Sequence, residues 1–189
     1  MKQNRGKLAW LIVSLFGVSG LMIHTNYSLA SVNSETQKAA NQTGAAAVTE
    51  ISFSKDSTDL SDSTKSELKD LITNASKKGE IAKVRVAAWA DQEYPPKGVS
   101  LAGSQITLAE KRAEGIQAYL ENVLNVKGIS TINMAERPSG IQNMLKTTGA
   151  KTKNTMENSE AAPTNSDQTG LFGLKGKASK AVVMVYYKK

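Results

Sequence analysis

Two neighbouring stretches decide the predicted fold: VRVAAWAD, Val84–Asp91, and QITLAEKRAEGIQAYLENVL, Gln105–Leu124. The first alternates branched or small apolar residues and stops on a carboxylate, which is typical of a half-buried strand. The second repeats apolar residues at helical spacing and carries Arg112 in its second turn. If this helix packs back on the strand, Asp91 and Arg112 face each other. This pair is the candidate functional centre.

The flanking sequence predicts three further strands and one further helix. Ser61 can cap that helix, or Thr64 and Glu67 can form a capping box. The order strand, helix, strand, helix, strand, long loop, strand predicts an α+β class. We expect a βαβαββ sandwich with two helices on one face of a four-stranded mixed sheet. The predicted strands are Val48–Ser54, Ile81–Ala90, Ile129–Glu136 and Lys180–Lys188, and the helices are Ser61–Lys78 and Gln105–Leu124.

Three segments are predicted to lie outside the packed elements. Residues 1–30 combine a basic start, an apolar run of 16 residues and small residues before a cleavage point after Ala30, which is typical of a signal peptide. The run is short for a membrane span, so an uncleaved anchor is less favoured. Residues 31–47 predict a flexible linker. Within the domain at 48–189, residues 137–177 predict a long disordered insertion.

Composition excludes several kinds of catalytic site. The one histidine, His24, lies in the predicted signal peptide, and the chain has no cysteine. The mature protein therefore lacks the groups for a Ser/His or Cys/His pair, a zinc site of thiolates or imidazoles, or a disulfide. No glycine loop predicts a phosphate site, so we expect no cofactor and no metal. A hydrolase using Ser/Lys, or Asp91 with Glu93 or Glu136, is the least favoured interpretation.

The charge balance indicates a mildly basic mature chain. The formal net charge is +7, and cleavage after Ala30 removes three cations and leaves +4 over 159 residues. This excess suits an anionic polymer such as a cell wall. It is too weak and too dispersed along the sequence to predict nucleic-acid binding.

Over about 140 residues the order of elements and the motifs resemble the OmpA-like domain, the peptidoglycan-binding module of outer-membrane protein A, peptidoglycan-associated lipoproteins and flagellar stator proteins. Asp91 falls on the aspartate that follows the family's second strand, and Arg112 falls on its helical arginine. The helix of the family reads Asn, two residues, Leu-Ser, two residues, Arg-Ala, two residues, Val, three residues, Leu. The residues found at that spacing are Gln105, Leu108, Ala109, Arg112, Ala113, Ile116 and Leu120.

The resemblance implies non-catalytic binding of peptidoglycan. In the family the matching aspartate and arginine hold the diaminopimelate of the stem peptide. A carboxylate can accept from its ammonium group while an arginine grips its carboxylate in two parallel bonds. The expected role is to anchor an envelope component to the wall in the periplasm of a Gram-negative cell, in contact with outer-membrane or other envelope proteins.

The sequence also departs from the family pattern. Ala90 replaces the threonine before Asp91, Gln105 replaces the asparagine, and Ala181 stands where the family has arginine. The predicted ligand contacts are Asp91, Arg112, Gln105, Ala90 and Tyr94, with Tyr94 the candidate for stacking on a sugar. The departures favour an alternative function, a scaffold or protein-interaction subunit that no longer binds peptidoglycan.

Each residue of the pair also has a purely structural interpretation. A strand-end aspartate is most often a turn or cap residue, and a helical arginine is most often solvated or paired within its helix. Trp89 can serve as a stacking platform, but its place in an alternating strand favours packing.

Overall fold

The computed structural model describes residues 32–162 and 178–188. The predicted signal peptide therefore lies outside the described residues, as does part of the predicted insertion. Among the helices of the described residues, none has the length and apolar character to cross a bilayer. The strands are β1 Ala47–Ser52, β2 Ile81–Ala88, β3 Ile129–Asn133 and β4 Lys180–Tyr187, and the helices are α1 Ser34–Gln42, α2 Asp62–Lys78, α3 Gly103–Asn122, α4 Gly140–Met144 and α5 Thr148–Asn158.

The four strands form one mixed sheet in the order β1-β4-β2-β3. Strand β4 pairs antiparallel with both β1 and β2, while β2 and β3 are parallel. The central place of β4 explains its sequence, KAVVMVYY, because a strand covered on both faces needs no polar alternation. The prediction of an α+β chain with a four-stranded mixed sheet is confirmed.

Helices α2 and α3 pack on one face of the sheet, as predicted. Ser61 begins α2 by accepting a hydrogen bond from the Thr64 amide, and cations in its last turn precede Gly79. The apolar faces of both helices pack against the side chains that β2 and β4 direct toward them. Together these residues form one core. Its fully buried members include Leu68, Val84, Val86, Ile116, Leu120, Val183 and Val185.

The prediction that helices cover only one face is wrong. A second core on the opposite face joins Ala39 of α1 and Met156 of α5 to Val182 and Met184 of β4. The molecule therefore has three layers, helix, sheet and helix. The sequence did not predict this layer because alanine supplies much of its apolar surface. Short alanine-rich stretches give little periodic signal.

The linker predicted at 31–47 contains α1 instead. Asn33 caps the helix by accepting from the Thr36 amide at 2.7 Å, and its own amide donates to Glu50 of β1 at 2.9 Å. Thr36 Oγ1 also donates to Glu50 at 2.8 Å, and both Thr36 and Ala39 are fully buried. These bonds fix α1 to the edge strand, which a flexible tether does not provide.

The first part of the predicted disordered insertion is also ordered. Ser139 and Gln142 form a capping box at α4, and the Thr147 side chain caps α5. One face of α5 is buried through Ala150, Thr152 and Met156. A helix that buries only one face needs only a few apolar residues. In the sequence these residues stand among Thr, Lys and Asn, so they gave no clear helical pattern. Residues 163–177 lie outside the described residues.

Candidate functional site

Asp91 and Arg112 meet, as the sequence predicts. Strand β2 ends at Ala88, and Asp91 follows three residues later. Helix α3 packs along β2 and β3 and places Arg112 at the same end of the sheet. Arg112 Nη2 donates to Asp91 Oδ1 at 2.7 Å. The arginine side chain is fully buried, whereas that of Asp91 is 10% exposed. The pair therefore presents its carboxylate, and not its guanidinium, toward solvent.

Protein groups occupy most of the donors of Arg112. Nε donates to the Ser57 carbonyl at 2.8 Å, Nη1 to the Trp89 carbonyl at 3.0 Å and Nη2 to the Ser54 carbonyl at 3.0 Å. With the bond to Asp91, four of the five N–H groups of the guanidinium are engaged. The Phe53 ring lies 4.8 Å from the guanidinium carbon. Arg112 thus ties the loop after β1 to the end of β2, and it is neither solvated nor paired within its helix.

Asp91 accepts hydrogen bonds from two backbone turns. Its Oδ2 accepts from the Asp56 amide at 2.6 Å, and its Oδ1 accepts from Ser179 Oγ at 2.6 Å. Asp56 and Ser179 both have positive φ, 57° and 63°, a conformation that costs free energy in residues other than glycine. The carboxylate therefore holds two strained turns in place, one before α2 and one before β4.

These contacts fix the ionisation of Asp91. Burial alone raises the pKa of the carboxyl group. Hydrogen bonds from Ser179, the Asp56 amide and Arg112, together with the charge of Arg112, outweigh burial and lower the pKa of Asp91 to about 2. Asp91 is consequently ionised throughout the neutral range.

Gln105 and Ala90 shape the backbone of the site. Gln105 Oε1 accepts from the amides of Asp91 at 3.0 Å and Gln92 at 3.1 Å, so it fixes the backbone that follows β2. Ala90 is fully buried, and its carbonyl accepts from the Ser179 amide at 2.7 Å. Both residues hold the turn that carries Asp91.

An open cavity of about 520 Å³ lies beside Asp91, lined by the loop that follows it. Its lining includes Asp91, Glu93, Tyr94, Pro96 and Leu101. Asp91 thus lies on the wall of a space large enough for an amino-acid side chain and its neighbours.

The proposed stacking role of Tyr94 is wrong. Its ring is 1% exposed, and the Arg137 guanidinium carbon lies 4.6 Å from the ring centre. Burial raises the pKa of the Tyr94 hydroxyl to about 12. Trp89 is fully buried with Lys180 Nζ 5.2 Å from its ring centre, so its packing role is the one realised. Both aromatic rings belong to the core and present no free face to a sugar.

The lowered pKa of Asp91 disfavours this residue as a general acid, because a general acid must be protonated at working pH. Within residues 32–162 and 178–188, no group of three acidic or histidine side chains is placed to hold a metal ion.

Sequence reasoning missed four residues of this arrangement. Ser54, Asp56, Ser57 and Ser179 contact the pair from two loops that are far from it along the chain. Serine and aspartate between predicted elements indicated turns, but not which side chain those turns would contact.

The sequence matches no model of a known protein family and no curated protein sequence.

Proposed function

We propose that this domain binds peptidoglycan without catalysing a reaction and so anchors an envelope component to the cell wall. The observation that carries the proposal is a carboxylate that is ionised throughout the neutral range and held by three hydrogen bonds, on a residue that lines an open cavity. Such a group is suited to accept a hydrogen bond from an ammonium group of a ligand. The resemblance of the Asp91 and Arg112 spacing to the OmpA-like domain names the ligand, the diaminopimelate of the stem peptide.

In this proposal Asp91 is the direct contact. One acceptor position remains on Oδ2, because that oxygen accepts only from the Asp56 amide among the described residues. Since Asp56, Ser179 and Arg112 fix the carboxylate before the ligand arrives, binding costs little side-chain entropy. A single charged hydrogen bond contributes about 1.5–3 kcal/mol, so one domain binds weakly and retention comes from many copies on one polymer.

Arg112 is a positioning residue in this proposal. A two-bond grip on a ligand carboxylate would require it to release Ser54 or Asp91, because four of its N–H groups are already engaged. Its contribution is to keep Asp91 ionised and oriented. This role differs from the direct contact that the resemblance implies.

A specific observation favours the second candidate, a scaffold or protein-interaction subunit. Every described contact of Arg112 is internal, and Asp91 stabilises two strained turns, which is enough to explain both residues structurally. The distinction between the two functions lies in whether Asp91 also contacts a ligand.

Sedimentation with insoluble peptidoglycan tests the proposal. Wild type should pellet, and Asp91→Asn, which keeps the shape but removes the charge, should bind roughly 10- to 100-fold more weakly. Free meso-diaminopimelate should compete. Pimelate, which has the same two carboxylates and no ammonium groups, should not compete.

Glu50→Gln is the matched control. Glu50 is also a largely buried carboxylate with a cation partner, Lys180 at 2.7 Å, but it packs against α1 and does not line the cavity. The Glu50→Gln variant should have a lower free energy of unfolding than wild type and should still bind the wall. If Asp91→Asn folds and pellets as well as wild type, Asp91 does not bind the wall and the scaffold function is favoured.

A further inference from the structure

A second and larger cavity, of about 1070 Å³, lies where α4 and α5 meet the end of α1 and the strand β2. It shares no lining residue with the cavity beside Asp91. Its lining contains one acidic residue, Glu157, and five cations. The cations are Arg85, Lys97, Arg137, Lys146 and Lys151.

The one acid is not available to balance the other cations. Arg137 Nη1 and Nη2 donate to the two oxygens of Glu157 at 2.8 and 2.7 Å, a two-bond ion pair. Arg137 is further held by the Pro95 carbonyl at 2.5 Å and the Tyr94 ring. The remaining four cations therefore leave the lining of this concave surface with a net positive charge, which attracts anions.

Arg85 is the unusual member of this set. Its neighbours Val84 and Val86 are fully buried on the α2 and α3 side, so alternation turns Arg85 toward the α1 and α5 side, where β2 and β4 otherwise present Ala87, Val182 and Met184. Strand β2 lies inside the sheet, between β4 and β3. An apolar residue would ordinarily occupy such a position.

The protein leaves Arg85 incompletely paired. Nη1 donates to the Tyr186 hydroxyl at 3.1 Å, and the guanidinium carbon lies 4.5 Å from the centre of that ring. Nε is shielded from solvent and has no hydrogen-bond partner among the described residues. None of the ion pairs formed by residues 32–162 and 178–188 includes Arg85. Arg85 is partly buried, and an anion at this position would supply the charged partner that the described residues do not.

We propose that this cavity binds a phosphate-bearing anion, with Arg85 at its base and the lysines of the rim around it. Nη2 of Arg85 has no hydrogen-bond partner among the described residues, so the guanidinium can donate to the oxygens of a phosphate group, and the exposed lysines add charge around it. The cavity is larger than one phosphate group needs. Its Thr and Asn residues, which include Thr148, Asn154, Thr155 and Asn158, supply partners for the hydroxyl groups of a phosphorylated polyol.

Titration calorimetry with inorganic pyrophosphate at low salt tests the site. Wild type should bind, and Arg85→Gln should lose roughly tenfold or more in affinity, because charged hydrogen bonds are removed. Lys151 is exposed, so Lys151→Gln tests the same site without a risk to folding, and it should weaken binding several-fold. The control Lys77→Gln removes a cation at the end of α2, which does not line the cavity.

Two further probes distinguish the sources of the phosphate group. Glycerol 3-phosphate represents a soluble ester, and vesicles of phosphatidylglycerol, compared with neutral phosphatidylcholine vesicles, represent a lipid headgroup. Binding of either probe that is lost in Arg85→Gln supports the site and names its source. The proposal is overturned if neither probe nor pyrophosphate binds, or if Arg85→Gln and Lys151→Gln bind as wild type does. None of these results depends on Asp91 or on peptidoglycan.

Discussion

Arg112 and Arg85 are two arginines of one domain with opposite surroundings, the first fully buried and the second partly buried. Arg112 lies between the sheet and α3, with four internal hydrogen bonds, one of them to the carboxylate of Asp91 at 2.7 Å. Arg85 lies on the other face of the sheet with one hydrogen bond, an aromatic ring and an unpartnered Nε. Arg112 is the more buried of the two, yet it is the one whose charge the protein balances itself.

The contrast separates two uses of a buried cation. A guanidinium that is fully paired by its own chain joins elements together, and removing it leaves polar groups without partners. A guanidinium that the chain leaves unpaired lowers the stability of the empty protein and favours binding of an anion. The degree of burial of an arginine therefore does not by itself indicate its function. The number of hydrogen-bond and ion-pair partners that the arginine has within its own chain is the more informative quantity.

The largest expected effect is on Arg112. Arg112→Met removes the cation partner of Asp91 and leaves three carbonyls without this donor, so we expect a loss of about 3–5 kcal/mol in the free energy of unfolding. Urea denaturation followed by circular dichroism measures it. A loss below about 1 kcal/mol would show that Arg112 does not join the loops as described.

The intermediate effect is on Asp91, and it depends on pH. Because the pKa of the folded carboxyl group is lowered from 3.8 to about 2, its stabilisation is complete above about pH 4 and is lost as the pH falls toward 2. At pH 6, Asp91→Asn should cost about 1–3 kcal/mol, and the difference from wild type should shrink with acidification.

The measurement for Asp91 is the free energy of unfolding of both proteins at several pH values from 6 to 2. The pKa of Glu50 is also lowered: burial raises it, but Lys180 and hydrogen bonds from Asn33 and Thr36 outweigh burial. This contribution is present in both proteins and cancels in the difference. A difference that stays constant with pH would mean that the charge of Asp91 is not what stabilises the turns.

The smallest expected effect is on Arg85. Arg85→Met replaces an incompletely paired cation by an apolar side chain of similar length, so the free energy of unfolding should change by no more than about 1 kcal/mol, in either direction. Urea denaturation with and without pyrophosphate measures it. Pyrophosphate should stabilise wild type and leave Arg85→Met unchanged. A loss as large as that of Arg112→Met would remove the contrast between the two residues.

The sequence predicted the elements that carry a strong apolar pattern. Alternation in β2, the helical repeat of α3 and the unbroken run in β4 each indicated one structure, and the shared end of β2 and α3 brought Asp91 to Arg112. These predictions succeeded because each depends on a period that is visible within one segment.

The remaining features depend on contacts between distant segments. Helices α1 and α5 bury mainly small residues, so neither gave a clear period. The turns at Asp56 and Ser179 reach Asp91 from 35 and 88 residues away along the chain. The cations of the large cavity looked dispersed because each comes from a different segment between Arg85 and Lys151, and only the fold brings them together.

The strand order also sets a constraint on the timing of folding. Strand β4 separates β1 from β2, and its residues 180–187 contribute all of the backbone pairing that connects those two strands. While the chain is being synthesised, β2 and β3 can pair, but β1 has no partner in the sheet until β4 has emerged. More than 120 residues separate Ser52 from Lys180. Closing so long a segment is slow compared with forming helices, so the nascent chain remains without its complete sheet until almost all of these residues are available.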